Sequence, residues 1–546
     1  MPLALALLIM LVLPASALGS VTITEFKVEP SSLQAGGHPD VKITQKFQYS
    51  SATDDGKDTF VRLAPGLLGN PQNAALCTSE QLRSSAGCPA AAKIGTVEAT
   101  ARPILLGLPA PATLTVPGTV YNLRPKGSEP ARIGLALQAL GGLSKTYLEA
   151  PANLRPGPDG IGLETLFADQ PRDAGLDIQI EGIVLTFAGS ASKGPFMRMP
   201  TSCTPKTSLA RANSYEAPAA VSEKTSAFTP TGCDRLGFSP TAGGTLGAPG
   251  ATARASRPPL TTILRFDPEQ AALDRAEVTL PDSLVPNLSA VLRACRPAAA
   301  APYCPDASRV GTAIIDSPLQ AAPVRGPVHL AYTTSSPVPG LLVYLPPPVG
   351  LRLDAEVQPG AGLRNIFPSN PDLPLRSFTL AIDGGPQGLL ELAQDLCAPN
   401  TATSIKVKLT AHSGRTRELT QELATPGCDP LAKVIVRKRG RYFTVAAVLR
   451  AARNGPGITA AKLTLPKGLV RGKRPPRIHA GGRRTAGKTT RRSLSLKPSA
   501  GSARRVKIVW RRLVAKKRLR KVVTVPLSLV DERGKTTKLR VRVPRG

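Results

Sequence analysis

Three groups of residues in this chain have types and spacings that could do chemistry. The sharpest is Gly482-Arg-Arg-Thr-Ala-Gly487-Lys488-Thr489, which satisfies the phosphate-loop pattern G-x4-G-K-[ST]. Downstream, Leu527-Ser-Leu-Val-Asp531-Glu532 imitates the acidic strand that holds magnesium in such sites. That chemistry needs a buried strand before the loop and a helix after it, so that backbone N–H groups face the phosphates. Here Pro475-Pro476-Arg-Ile-His precedes the loop. Thr490-Arg-Arg-Ser-Leu-Ser-Leu496 follows it with a period of two, and then Pro498. Neither context is met, so nucleotide hydrolysis is not expected. Asp531-Glu-Arg-Gly534 reads as a hairpin turn instead.

The second group is cysteine. Cys77, Cys88, Cys203 and Cys233 form one set, and Cys295, Cys304, Cys397 and Cys428 another. No C-x2-C pair occurs, and none of the four histidines lies near a cysteine, so zinc is not expected. An even count in an exported chain points to disulfides. Each set allows three connectivities, and sequence does not choose among them. Nearest neighbours are favoured, because short loops close most readily in the unfolded chain: 77–88, 203–233, 295–304 and 397–428.

The third group is basic. From Leu431 to Gly546 there are 35 Lys and Arg against two acids, Asp531 and Glu532, a charge of +33. The whole chain also carries +33, so residues 1–430 are neutral. Arg505, Lys507, Arg511, Arg512, Lys516 and Lys517 lie in the densest runs. In Lys538-Leu-Arg-Val-Arg-Val543 side chains alternate across a strand, which puts Lys538, Arg540 and Arg542 on one face. The expectation is a sandwich with one strongly cationic sheet face. Arg outnumbers Lys here, 22 to 13, which suits bidentate phosphate contact.

Other catalytic signatures fail. There is no G-x-S-x-G elbow and no H-E-x-x-H. His38, His329, His412 and His479 share no motif, and paired carboxylates cannot be assigned among 37 acids. His329 falls in an expected strand, at the repeat position of Tyr121, which favours packing or a surface role. One Trp, Trp510, and no cluster of aromatics weaken a sugar-platform reading. The chain reads as non-enzymatic, without cofactor or metal.

The elements that must position these residues repeat. Cys88-Pro-Ala-Ala-Ala-Lys-Ile-Gly-Thr96 matches Cys304-Pro-Asp-Ala-Ser-Arg-Val-Gly-Thr312. Gly232-Cys-Asp-Arg-Leu236 matches Gly427-Cys-Asp-Pro-Leu431, and Val116-x-Gly-x-Val120 matches Val324-x-Gly-x-Val328. The offsets 216, 195 and 208 drift as loop insertions would make them, and this length means tandem domains. A weaker echo occurs three times: Leu63-Ala-Pro-Gly-Leu67, Leu280-Pro-Asp-Ser-Leu284 and Leu465-Pro-Lys-Gly-Leu469. Short alternating runs bounded by Gly, Pro or Asp predict strands throughout. Two short helices are expected, at 78–84 with a Thr78/Gln81 capping box and at 287–293. The fold class is all-β: tandem antiparallel β-sandwich (Ig-like) modules.

On Ala276-Glu-Val-Thr-Leu-Pro281, Cys304-Pro-Asp-Ala-Ser-Arg-Val-Gly311, Phe367-Pro-Ser-Asn-Pro-Asp-Leu-Pro374, Gly384-Gly-Pro386 and Gly232-Cys-Asp-Arg-Leu236, the chain resembles exported β-repeat proteins of high-GC Gram-positive bacteria, of actinobacterial type. The likeness spans most of 50–430. It implies a secreted repeat architecture and brings no catalytic residues. This chain departs in having two cysteine modules and no long array.

Leu3 to Leu13 is an apolar run ended by Pro14, and Ala15-Ser16-Ala17 suits a signal peptidase. The run departs from the usual pattern in lacking a preceding Lys or Arg. It is short of the ~20 residues that span a bilayer, and no later segment reaches that length. The expected organisation is a signal peptide 1–17, module 1 at 18–240, a Gly/Ala/Pro-rich linker 241–259, module 2 at 260–430, and a basic module 3 at 431–546. The expected role is a secreted cell-surface structural or interaction protein. Its expected partner is an anionic cell-wall polymer or an anionic membrane surface. A nucleic-acid or polyphosphate binder is the alternative. A secreted hydrolase whose triad only geometry would reveal is the second alternative.

Overall fold

The computed structural model describes residues 20–544 apart from 53, 106–107, 140–143, 158–159, 171–177, 297–303, 333–337, 359–361, 399, 453–454 and 517–518. The expected signal peptide and Lys517 lie outside the described residues. Among those described, regular structure is strand, interrupted by single-turn helices.

Module 1 is built on one continuous antiparallel sheet. In spatial order its strands are Val21–Pro30, Val41–Tyr49, Ile178–Phe187, Lys93–Leu105, Leu114–Leu123, Ala131–Ala139, Ser144–Gly157, Gly160–Phe167, Gly56–Arg62, Lys206–Ser214 and Ser222–Phe228. The sheet folds back until its outer strands meet. Ile23 and Val28 donate backbone N–H bonds to the Ser222 and Ser226 hydroxyls, each at 2.9 Å. Both edges are thereby covered, which removes the usual hazard of an open strand.

Module 2 repeats this plan strand for strand: Thr241–Leu246, Leu260–Arg265, Ser377–Ile382, Arg309–Asp316, Val324–Ala331, Gly340–Leu345, Leu351–Gln358, Arg364–Phe367, Leu273–Thr279, Ser404–Ala411 and Thr416–Glu422. The two spatial orders are identical once each strand is matched to its counterpart. The duplication legible in the motifs is therefore a duplication of topology. All three Leu-x-x-x-Leu echoes make one turn: Leu67, Leu284 and Leu469 donate N–H bonds to the carbonyls of Ala64, Pro281 and Pro466.

The segment 241–259 is not a plain linker. Its first six residues are the strand that closes module 2: Leu246 donates to the Ala424 carbonyl at 2.8 Å, and Ala424 donates to Gly244 at 3.0 Å. The glycine content that suggests a linker serves close packing instead. A Cβ on Gly244 would stand 2.1 Å from the Thr261 carbonyl oxygen.

The disulfides are Cys77–Cys88, Cys203–Cys233, Cys295–Cys304 and Cys397–Cys428, the nearest-neighbour set, and no cysteine is free. Both expected helices form, as Ser79–Arg83 and Leu288–Val291. The first carries the reciprocal Thr78/Gln81 capping box, and the second is capped by the Asn287 side chain.

Module 3 is a two-sheet sandwich. The first sheet runs Leu431–Arg439, Tyr442–Arg450, Arg505–Ala515, Arg477–Ala480, Arg483–Arg484. The second runs Gly487–Thr489, Ser493–Leu496, Ile458–Thr464, Val522–Asp531, Thr536–Pro544. Its core is its own: Val506, Ile508 and Trp510 from the first sheet face Leu463, Leu494 and Val525 from the second.

Candidate polyanion surface of the basic module

The strand Arg505–Ala515 alternates cleanly at its start. Val506, Ile508 and Trp510 are buried, while Arg505 and Lys507 are exposed. The alternation then breaks, because Arg511 and Arg512 are both exposed before Leu513 returns to the core. The cause is a bulge: the ladder to Tyr442–Arg450 shifts between Phe443/Val445, and Arg512 has φ +53°. The bulge needs Gly472, where a Cβ would stand 2.1 Å from the Arg512 carbonyl oxygen. One extra residue thus turns two adjacent arginines outward. The Arg512 and Arg441 guanidinium groups lie 5.8 and 5.1 Å from the centre of the Tyr442 ring.

Lys538, Arg540 and Arg542 are exposed on Thr536–Pro544, with Leu539 and Val541 half-buried between them. That strand belongs to the second sheet. The candidate residues are therefore divided: Arg505, Lys507, Arg511 and Arg512 on one sheet, Lys538, Arg540 and Arg542 on the other. The outer faces of a sandwich point apart, so the module is cationic on both faces, not on one. Lys516 is exposed just past the end of the first group.

Register shows cations that pattern reading passes over. On the first sheet, Lys433, Val448, Lys507, His479 and Arg484 form one row across five strands. On the second, Lys538, Ser528, Lys462, Ser495 and Lys488 form another. Neighbouring strands lie ~4.8 Å apart, so charges on alternate strands are ~10 Å apart. Lys433, Lys462, Lys488 and Arg484 join the surface only through strand pairing, which single-strand alternation does not reveal.

Neither acid of the module neutralises these rows. The buried Asp531 carboxylate accepts N–H bonds from Arg533 and Lys535 in the hairpin turn. Glu532 accepts from the Ser502 hydroxyl and the Gly457 N–H, which hold its carboxyl below the ordinary carboxylate range. Modules 1 and 2 differ. In module 1, Lys27 and Lys46 lower the pKa of Glu25 to about 2, and Arg62, Arg102 and Arg132 each face a glutamate; in module 2, Arg275 and Arg364 face Glu277.

The phosphate-loop sequence is a hairpin. Ala480 pairs with Arg483, and Gly481 and Gly482 between them have φ +57° and +84°, as a two-residue type I′ turn requires. Gly487–Thr489 is a strand of the other sheet, so no helix N-terminus faces the loop.

Among the described residues, one Ser–His contact bears on hydrolysis. The Ser308 hydroxyl lies 3.0 Å from His329 Nδ1, but it also donates to the Pro305 carbonyl at 2.7 Å. Both side chains are closed off from solvent, 1% and 5% exposed, and burial lowers the pKa of His329. A committed hydroxyl proton and the lack of access leave packing as the role of this pair. His412 bonds to the Asn370 carbonyl, and His38 to Met197 and Glu269. Among the described residues, no cluster of His, Cys, Asp and Glu could hold a metal.

No family model and no curated protein matches the chain. Among solved structures it is similar to collagen adhesin from S. aureus (8% identity, TM-score 0.17, covering 56% of this chain and 92% of that one). It is also similar to a Corynebacterium diphtheriae protein described as membrane anchored (8% identity, TM-score 0.17, covering 96% and 94%). The collagen-binding domain of Erysipelothrix rhusiopathiae RspB gives 11% identity and a TM-score of 0.17, covering 56% and 92%. At these scores the likeness carries no argument about activity or partners.

Proposed function

We propose that this is a secreted, non-enzymatic protein of the cell envelope, held to anionic surface polymers by module 3. The observation that carries the reading is the pair of unneutralised cation rows on the two faces of a separately cored sandwich. They stand beside two modules whose charges are balanced. Unrelieved self-repulsion of this size favours a polyanionic partner. Four disulfides suit an oxidising compartment, and no helix among the described residues is long and apolar enough to cross a membrane.

Cations ~10 Å apart on the sheet faces suit a repeating phosphate polymer engaged by charge. They offer little for reading bases. Trp510 is fully buried, so it cannot stack on a base, and Tyr442 is already flanked by arginines. Modules 1 and 2 then act as a rigid, stapled body carried at the surface. The direct test is to delete 431–546 in the producing cell. Release of the shortened protein into the medium supports the tether, and its retention on the cell overturns it.

A further inference from the structure

The interiors of the duplicated modules are not filled alike. Module 2 encloses an apolar cavity of about 330 Å³, whereas the corresponding space in module 1 is about 70 Å³. Close-packed interiors hold few voids larger than a water molecule, and ligand cavities begin near 300 Å³. Because the topologies are identical, the fold does not impose the void. Side-chain choice contributes to it. Phe196 and Met197 fill module 1 beside the short Leu68–Gly69 strand. Their counterparts beside Leu284–Pro286 are Leu389 and Leu390, which line the module 2 cavity.

The lining has a definite chemistry. It is leucine and valine from most strands of the folded sheet, joined by Leu154 of module 1, with no charged side chain. Of its polar groups, Ser317 is committed to the Pro374 carbonyl and Asn370 to the Asp274 carbonyl. Thr262, Gln320 and Asn365 are neutral, so an ion in this space would find no charged partner, at large cost. The rim is apolar as well. Leu288 on the short helix and Val338 line it and are exposed, Leu288 at 74%, and Val285 and Leu292, close by in sequence, are exposed as well. The counterpart turn in module 1, capped in the same way by Asn70, is Pro71-Gln72-Asn73. The module with the cavity is thus the one whose entrance turn has become hydrophobic.

We propose that module 2 binds a long aliphatic chain, the acyl tail of a lipid, inside its folded sheet, with any polar head left at the Leu288 rim. The site is independent of the cationic surface of module 3.

The test is calorimetric titration of the full-length protein, stripped of lipid, with decyl maltoside below its micelle concentration. This probe is uncharged, so module 3 does not attract it. The expected result is one saturable site per chain, unchanged by salt and with a negative heat-capacity change. Leu389→Phe with Val278→Trp, which fill the cavity, should weaken binding at least tenfold. Leu288→Glu, at an exposed position where folding is not at stake, should weaken it severalfold. Circular dichroism checks the filled variant; if it does not fold, Leu288→Glu decides. No saturable binding to the wild-type chain overturns the proposal. Undiminished binding in the folded filled variant overturns it too, as does undiminished binding in Leu288→Glu when the filled variant does not fold.

Discussion

Thr201 of module 1 donates both its backbone N–H and its hydroxyl to the Asp372 carboxylate of module 2, each at 2.7 Å and with both residues buried. The Thr201 hydroxyl oxygen also accepts the Ala272 N–H at 3.1 Å. Beside it the buried Arg198 guanidinium donates to the carbonyls of Pro268 and Gln270. The two modules are joined through bonds that water does not reach, so they form one body and not beads on a string.

Asp372→Ala should therefore loosen the junction. It leaves the buried Thr201 N–H without an acceptor, a loss of about 3 kcal/mol for hydrogen bonds to a charged group. Denaturant unfolding should show a lowered midpoint and a split transition, whereas the wild-type modules unfold together.

The disulfides should differ in weight. In the loop-entropy account, removing Cys77–Cys88, with a separation of 11, costs about 3 kcal/mol, and removing Cys203–Cys233, with a separation of 30, costs about 4 kcal/mol. Paired Cys→Ser variants, compared by denaturant midpoint, test the order.

Glu149 predicts an acid response. It is 8% exposed and accepts from Ser79, Arg83, Lys126 and Arg132, tying the Ser79–Arg83 helix to the sheet. Burial pushes its carboxyl up, but these donors outweigh burial and hold it below its ordinary 4.5. A lowered carboxylate contributes its full stability above the unfolded value and loses it as pH falls through the folded one. Glu149→Gln should lower Tm at pH 7 and match the wild type once pH falls well below 4.5. A difference that persists in acid would contradict this.

Much of this architecture was legible in the residues. Matching motifs around Cys88 and Cys304 announced the duplication, and Thr78/Gln81 announced its helix, because both signals are local. The hairpin at Asp531–Gly534 and the unsuitability of Gly482–Thr489 for phosphate were local too. What escaped was non-local. Thr241–Leu246 looks like linker until its partner strand is known. The split of Lys507 and Lys538 between sheets depends on strand order, and the outward turn of both Arg511 and Arg512 depends on a bulge. The cavity escaped because a run such as Leu341 to Leu345 reads the same whether or not the core behind it is filled.

The cation rows predict graded losses. Lys507→Ala or Lys462→Ala should each reduce the log–log salt slope of polyanion binding by ~1, and roughly equally for different anionic polymers. The two residues lie on different sheets with no shared partner, so the double variant should show the sum. A single face carrying all the binding would instead leave one variant silent.

Module 3 is the part that should hold the protein to an anionic surface. The most direct measurement is cosedimentation of the full-length protein with purified cell walls across a salt series, beside a chain ending at Pro430. A tether through module 3 gives tight binding at low salt that falls steeply and linearly in log–log form, and none for the shortened chain. Binding that ignores salt, equal binding by the shortened chain, or no binding at low salt would contradict it.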